Sequence, residues 1–212
     1  MKENTLKILD DLICRYPSLV NNKQDILDAY LLLEKAYNNH HKLLVCGNGG
    51  SAADSEHIVG ELMKCFKKKR PIKREIHDKL NDLGDEGKIL QNTLEGSLEA
   101  ISLTSHLSLS TAFANDKEPS VVFAQQLYGL GKKDDVLLLI STSGNSKNCV
   151  LAATLAKAMD IKTIALTGKM ESKLSRICNI TIKVPEMETF KIQELHLPIY
   201  HCLCAMLEDN FF

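Results

Sequence analysis

The stretch KLLVCGNGGSAADSEHIVGEL, residues 42–62, decides the fold. Residues 42–46 form an apolar run of the length expected for a buried strand. Gly47, Asn48, Gly49 and Gly50 follow, and from Ser51 the pattern turns helical, predicting a helix over 51–66. Strand, glycine loop and helix in succession make half of a parallel βαβ unit. The run VLLLI at 136–140 repeats the arrangement, with the loop STSGNS at 141–146 and a predicted helix over 146–159.

Outward from these two anchors the same rhythm holds. Helical spacing predicts two N-terminal helices over 3–14 and 23–39, the second on Ile26, Leu27, Tyr30, Leu33 and Tyr37. Further strands are expected at 98–103, 162–166 and 180–184, helices near 105–114 and 120–129, and a long C-terminal helix over 189–207. Short apolar runs joined by helical connections imply an α/β protein with helices on both faces of a parallel sheet. Ligands bind such sheets at the carboxyl ends of the strands, where both glycine and serine loops fall.

Residues 67–96 break the rhythm. They open with KKKRPIKR and continue through Ile76, Leu80, Leu83, Ile89, Leu90 and Leu94, enough for a short helical hairpin. The basic run 67–74 reads as a solvated helix end rather than an anion site.

Composition narrows the function. The chain has 212 residues, 44% of them hydrophobic, and a formal net charge of -1, so no global field favours nucleic acid or a membrane surface. No stretch approaches the roughly 20 apolar residues of a membrane span. The N-terminal stretch is amphipathic and interrupted by acidic residues, unlike a signal peptide. Seven cysteines without a CxxC motif read as reduced thiols of a cytoplasmic protein, and Cys46 beside the first loop reads as packing.

Each loop opens a helix, and a helix N-terminus offers unpaired N–H groups and a partial positive charge to an anion. One such loop is ordinary turn and cap chemistry. Two at one sheet edge favour a bound phosphate, and the second adds the hydroxyls of Ser141, Thr142, Ser143 and Ser146. Neither spacing matches a dinucleotide fingerprint or a P-loop, which favours a small metabolite. Four further residues carry proton-transfer or metal-binding potential. His57 and Glu61 are four apart on one helix face. Gln193 and His201, eight apart in KIQELHLPIYH, lie within a quadrant of each other, with Pro198 predicting a bend between them.

Together GNGGSAADSEHIVGEL, ISTSGNSKN, KTIALTGK and IQELHLPIYH resemble the sugar isomerase (SIS) domain, in its phosphoheptose isomerase branch. The resemblance implies one SIS domain over 1–212, a flavodoxin-like three-layer sandwich whose five-stranded parallel sheet is flanked by helices, with N-terminal helices in 1–40. It implies a homotetramer with sites at subunit interfaces, one Zn²⁺ per subunit, and conversion of sedoheptulose 7-phosphate to D-glycero-D-manno-heptose 7-phosphate. Carried over by position, Ser51, Ser141, Thr142, Ser143 and Ser146 hold the phosphate, and Asn48, Gly49 and Gly50 line the site. Asp116 contacts sugar hydroxyls. His57, Glu61, Gln193 and His201 bind the metal; Gln193 also lines the substrate site, Glu61 is the base and His201 the acid.

The chain departs from this pattern twice. Residues 67–96 are a helical insertion relative to the short form, and Phe190 stands where an Asp often contacts substrate. Two other readings follow: a non-catalytic SIS protein that binds phosphosugars or a replication initiator, and an isomerase of another sugar phosphate. The intact set of His57, Glu61, Gln193 and His201 speaks against the first; Phe190 and the insertion favour the second.

Overall fold

A computed structural model describes residues 2–212. Two helices come first, α1 (Glu3–Arg15) and α2 (Lys23–Asn38), joined by a 3₁₀ turn that starts at Pro17. Alternation then begins with β1 (Leu43–Gly47), α3 (Gly50–Met63), α4 (Arg74–Leu80), α5 (Gly84–Thr93) and β2 (Ala100–Ser102). Next come α6 (Leu107–Asp116), α7 (Val122–Leu130), β3 (Val136–Ile140), α8 (Lys147–Ala158) and β4 (Lys162–Thr167). The chain ends with α9 (Lys173–Ile177), β5 (Ile180–Lys183) and α10 (Thr189–Phe211).

The strands form one parallel sheet in the order β2-β1-β3-β4-β5. Strand alternation sorts its side chains between two cores. Leu43, Val45, Val136, Leu138 and Ile140 face α1, α2, α3 and α10. Leu44, Cys46, Leu137 and Leu139 face the other way, onto Phe123 and Leu127 of α7 and the small residues Cys149, Ala152, Ala153 and Ala156 of α8. All five residues of β3 are buried. Burying a leucine contributes about 1.5–3 kcal/mol, and cutting Leu138 back to Ala would cost about 2–5 kcal/mol with the cavity included.

The expected five-stranded sheet flanked by helices is present, with several corrections in detail. The helix expected over 51–66 stops at Met63. Its last carbonyls are taken by Arg70, whose guanidinium donates to Glu61 O at 2.8 Å and Leu62 O at 2.7 Å. The run 67–74 is therefore not a helix end. Residues 67–69 are exposed and irregular, Arg70 is fully buried against Glu208 (Nε to Oε1 2.7 Å), and α4 begins only at Arg74. Beyond it α4 and α5 make the expected hairpin, closed at its base by Gly96 N–H donating to Arg70 O at 2.8 Å. The second strand is shorter than 98–103, and α10 runs unbroken through Pro198 to Phe211.

Candidate active site

Strand order places the site. From β1 the chain moves outward to β2, then returns past β1 to β3, so the loops after β1 and β3 meet at a topological switch point, the place where open α/β sheets bind ligands. In the first loop Gly49 has φ +57°, a left-handed value that costs glycine little. It leads into α3 without a side-chain cap. In the second loop Gly144 has φ +62°, and Ser146 at the start of α8 does not cap that helix. The Ser146 hydroxyl instead meets Ser141 Oγ at 3.0 Å. Neither N-cap side chain closes its helix, so both N-termini keep their dipoles, although Ser51 and Ala52 N–H bond the carbonyls of Asn48 and Gly49 and Cys149 N–H bonds Asn148 Oδ1. A double amide bond joins the loops: Asn48 Nδ2 donates to Asn148 Oδ1 at 2.9 Å, and Asn148 Nδ2 returns to Asn48 Oδ1 at 2.8 Å.

Farther along α3, three titratable side chains converge. His57 Nε2 lies 3.2 Å from Glu61 Oε1 and 3.5 Å from His201 Nε2, the latter contributed by α10. Lys64 Nζ donates to the other Glu61 oxygen at 3.0 Å. On the opposite edge of His57, Nδ1 lies 3.1 Å from the Tyr200 hydroxyl, which donates to Asp54 Oδ1 at 3.0 Å. Burial, then the neighbouring charge of His57, pushes the His201 pKa below its ordinary value, with Glu61 opposing. Burial likewise raises the Asp54 carboxyl, although its bond from Tyr200 and the charge of His57 pull the other way.

A family model of the SIS domain matches residues 17–89 and 90–168. The phosphoheptose isomerase of a Nitratiruptor species is 39% identical over 186 residues, 88% of this chain and 86% of its own length. The chain belongs to the SIS domain family. Among solved structures, the phosphoheptose isomerase of Neisseria gonorrhoeae matches with a TM-score of 0.72 at 29% identity, over 97% of this chain and 94% of its own. That of Francisella tularensis matches with a TM-score of 0.71 at 30% identity, over 98% and 94%. The phosphoheptose isomerase branch of the SIS family is thus where the chain falls.

Within this SIS fold, the residues singled out from sequence separate into two groups and several that stand apart. Ser51, Ser141, Thr142, Ser143 and Ser146 lie on the two loops or at their helix starts, beside Asn48, Gly49 and Gly50. His57, Glu61 and His201 come together. Gln193 lies elsewhere, its Nε2 so close to Gly50 that a Cβ there would stand 2.7 Å from it. Asp116 ends α6, is exposed, and is bonded by its neighbour Asn115 at 3.0 Å. Phe190 is exposed at the start of α10, with Lys191 Nζ 5.7 Å from its ring centre. Cys46 is packing: its contact with Cys149, then burial, raises its thiol pKa well above the ordinary value.

Sequence reasoning missed Asn148, Asp54, Tyr200 and Arg70. Asn148 lies inside ISTSGNSKN, one helical step past the hydroxyl cluster, so its position was readable there. The other three reveal their roles only through partners distant in sequence.

The donors fit a zinc ion in chemistry, and His57 and His201 fit it in spacing as well. Ligand atoms about 2.0–2.2 Å from a tetrahedral zinc stand about 3.3–3.6 Å apart. The His57–His201 separation of 3.5 Å falls in that range, and the His57–Glu61 separation of 3.2 Å falls just short of it. Among the described residues, however, no three His, Cys, Asp or Glu side chains form a ready-made metal cluster. Among them, too, no helix is long and apolar enough to cross a membrane.

Proposed function

We propose that this isomerase interconverts sedoheptulose 7-phosphate and D-glycero-D-manno-heptose 7-phosphate. The observation that carries the reading is the approach of Glu61 and His201 to His57, beside a switch point flanked by two helix N-termini that no side chain caps. Aldose–ketose exchange moves a proton between adjacent carbons through an enediolate. It needs a base at carbon, a proton carrier at the oxygens, and fixed charge to stabilise the developing anion.

The parts are assigned as follows. Ser51, Ser141, Thr142, Ser143 and Ser146 hold the phosphate, lined by Asn48, Gly49 and Gly50. Gln193, against Gly50, and Asp116 contact the sugar. Glu61, held between His57 and Lys64, takes the proton from carbon. His201, whose pKa burial pushes below its ordinary value, passes a proton between the neighbouring oxygens. His57, Glu61, His201 and Gln193 would hold the Zn²⁺, Gln193 after its side chain swings from Gly50. When bound, the ion supplies a Lewis acid for the substrate oxygens. We read residues 1–212 as one SIS domain with a 67–96 insertion, working in the cytoplasm as a homotetramer. The exposed Leu107 of α6 and Tyr128 of α7 are apolar surface that subunit packing would cover.

Proton NMR of sedoheptulose 7-phosphate in D₂O with zinc-loaded protein tests this directly. The wild type should produce aldoheptose signals and Glu61→Gln should not, while still binding phosphosugar. An active Glu61→Gln enzyme sinks the assignment. Phe190 favours a second reading, an isomerase of another sugar phosphate. A site lacking a polar partner for one hydroxyl changes which sugar is accepted more than which reaction occurs. Turnover of a shorter phosphoketose with none of the heptulose would select it.

A further inference from the structure

We propose that Tyr200 and Asp54 are positioning residues that fix the tautomer of His57 and aim its Nε2 lone pair at Glu61 and His201. Proton accounting carries the inference. The Tyr200 hydroxyl lies 3.0 Å from Asp54 Oδ1 and 3.1 Å from His57 Nδ1. It has one proton, and a carboxylate can only accept, so that proton goes to Asp54. The hydroxyl faces His57 with its lone pairs, and a bond forms only if His57 Nδ1 carries the hydrogen. A neutral imidazole protonated at Nδ1 has its lone pair at Nε2.

The other tautomer would set the Nδ1 lone pair against that of Tyr200, which is 1% exposed, in exchange for a bond from Nε2–H to Glu61, a carboxylate that Lys64 already supplies with a donor. The surroundings hold the parts in place. Asp54 precedes His57 by one turn on α3, and Tyr200 reaches across from α10, so the chain of bonds ties the two helices that carry the site. The Tyr200 ring packs edge-on against His57 and His201, with centroids 5.6 Å and 5.0 Å away. Its hydroxyl is thereby aimed, and removing that oxygen leaves the packing intact.

His57 Nε2 consequently faces Glu61 Oε1 as acceptor to acceptor, at 3.2 Å. Such a pair is relieved by a cation or a shared proton between its members, or, in the metal-free protein, by a small turn of the Glu61 carboxylate toward Lys64, which already bonds its other oxygen. This deepens the functional reading and rests on it where zinc is concerned, but the tautomer stands independently.

Long-range ¹H–¹⁵N correlation spectra of metal-free, ¹⁵N-labelled protein at a fixed alkaline pH report the tautomer. Wild-type His57 should appear protonated at Nδ1, and Tyr200→Phe should shift it toward Nε2–H. Competition against a chromophoric chelator with Zn²⁺ alone should show about 10- to 100-fold weaker binding in Tyr200→Phe, the usual loss for an outer-shell partner. Wild-type His57 protonated at Nε2, or a tautomer unchanged in Tyr200→Phe, overturns the proposal. The wild-type spectrum needs no variant, so a misfolded Tyr200→Phe does not rescue it. The Nδ1–H form without zinc binding would uphold the tautomer and remove zinc from the proposed function.

Discussion

Asn48 and Asn148, one hundred residues apart, exchange two amide hydrogen bonds of 2.9 and 2.8 Å. The bonds latch the loop after β1 to the first turn of α8, so the two helix starts keep one spacing. Asn148 also turns its Oδ1 to its own helix, accepting from Cys149 N–H at 3.0 Å. Asn148→Ala deletes the latch without touching His57, Glu61 or His201. Each such bond is worth about 1 kcal/mol net, so losing one or both should raise KM for the phosphosugar roughly five- to thirtyfold with kcat little changed. Initial-rate kinetics check this; an unchanged KM would show that the loops are spaced by the sheet alone.

Arg70 is the second tie between distant parts. It caps α3 through the carbonyls of Glu61 and Leu62, and it forms a buried pair with Glu208, whose carboxylate also accepts from Phe66 and Lys67 N–H at 2.8 Å. Burial works against that carboxylate, yet the N–H groups and the guanidinium outweigh it and its pKa falls. Removing one member of a buried pair leaves the other charge uncompensated, at about 3–5 kcal/mol. Arg70→Met should therefore lose roughly that much in a urea titration. The turn carrying Glu61 would fray with it, so kcat should fall in the molecules that remain folded.

His196 predicts the acid limb of the stability profile. It is fully buried, both ring nitrogens lack a hydrogen-bond partner, and burial pushes its pKa down to about 4, a loose contact with the Thr167 backbone opposing. Since the folded value lies below the ordinary histidine value of about 6.5, the unfolded chain takes up the proton first. The contribution of neutral His196 is complete above the unfolded value and drains away as pH falls toward the folded one. Between pH 7 and pH 4.5 the loss is roughly 2 kcal/mol at 1.36 kcal/mol per pKa unit. Urea midpoints of wild type and His196→Leu at both pH values separate it from the carboxylates. The variant should lose roughly 2 kcal/mol less across that range, and equal losses would refute the buried neutral histidine.

The pattern of what the sequence disclosed follows from range. Five-residue apolar runs and glycine loops are local signals, so the strands and both glycine loops could be read residue by residue. Arg70 lies in a run of lysines that reads as solvated surface, and only Glu208, 138 positions away, explains its burial. The end of α3 escapes a local reading for the same reason, because its cap comes from that arginine. Tyr200 sits beside His201 in a motif that drew attention, yet a tyrosine on a buried helix face gives no hint of a bond to Asp54. Helical geometry brought His57 beside Glu61, while tertiary packing alone brought His201 to them and set Gln193 against Gly50.

Gly144 and Gly49 offer a paired test of how tightly the two glycine loops are built. Both have positive φ, +62° at Gly144 and +57° with ψ -121° at Gly49, sparsely populated backbone where an L side chain costs roughly 1–3 kcal/mol. Their surroundings differ. A Cβ on Gly49 meets nothing within 4 Å, whereas one on Gly144 would stand 2.2 Å from Ser172 Oγ and 2.5 Å from its Cβ. Ser172 cannot simply yield, because it is buried and caps α9 by accepting from Ser175 N–H at 3.2 Å. Overpacking of this kind adds about 1–3 kcal/mol. Gly144→Ala should thus be the more destabilising by about that margin in paired chemical denaturation. It should also raise KM for the phosphosugar, since the loop from Ser141 to Ser146 must move to admit the methyl group. Equal losses for the two variants would mean that α9 gives way freely and that the second loop is not held from behind.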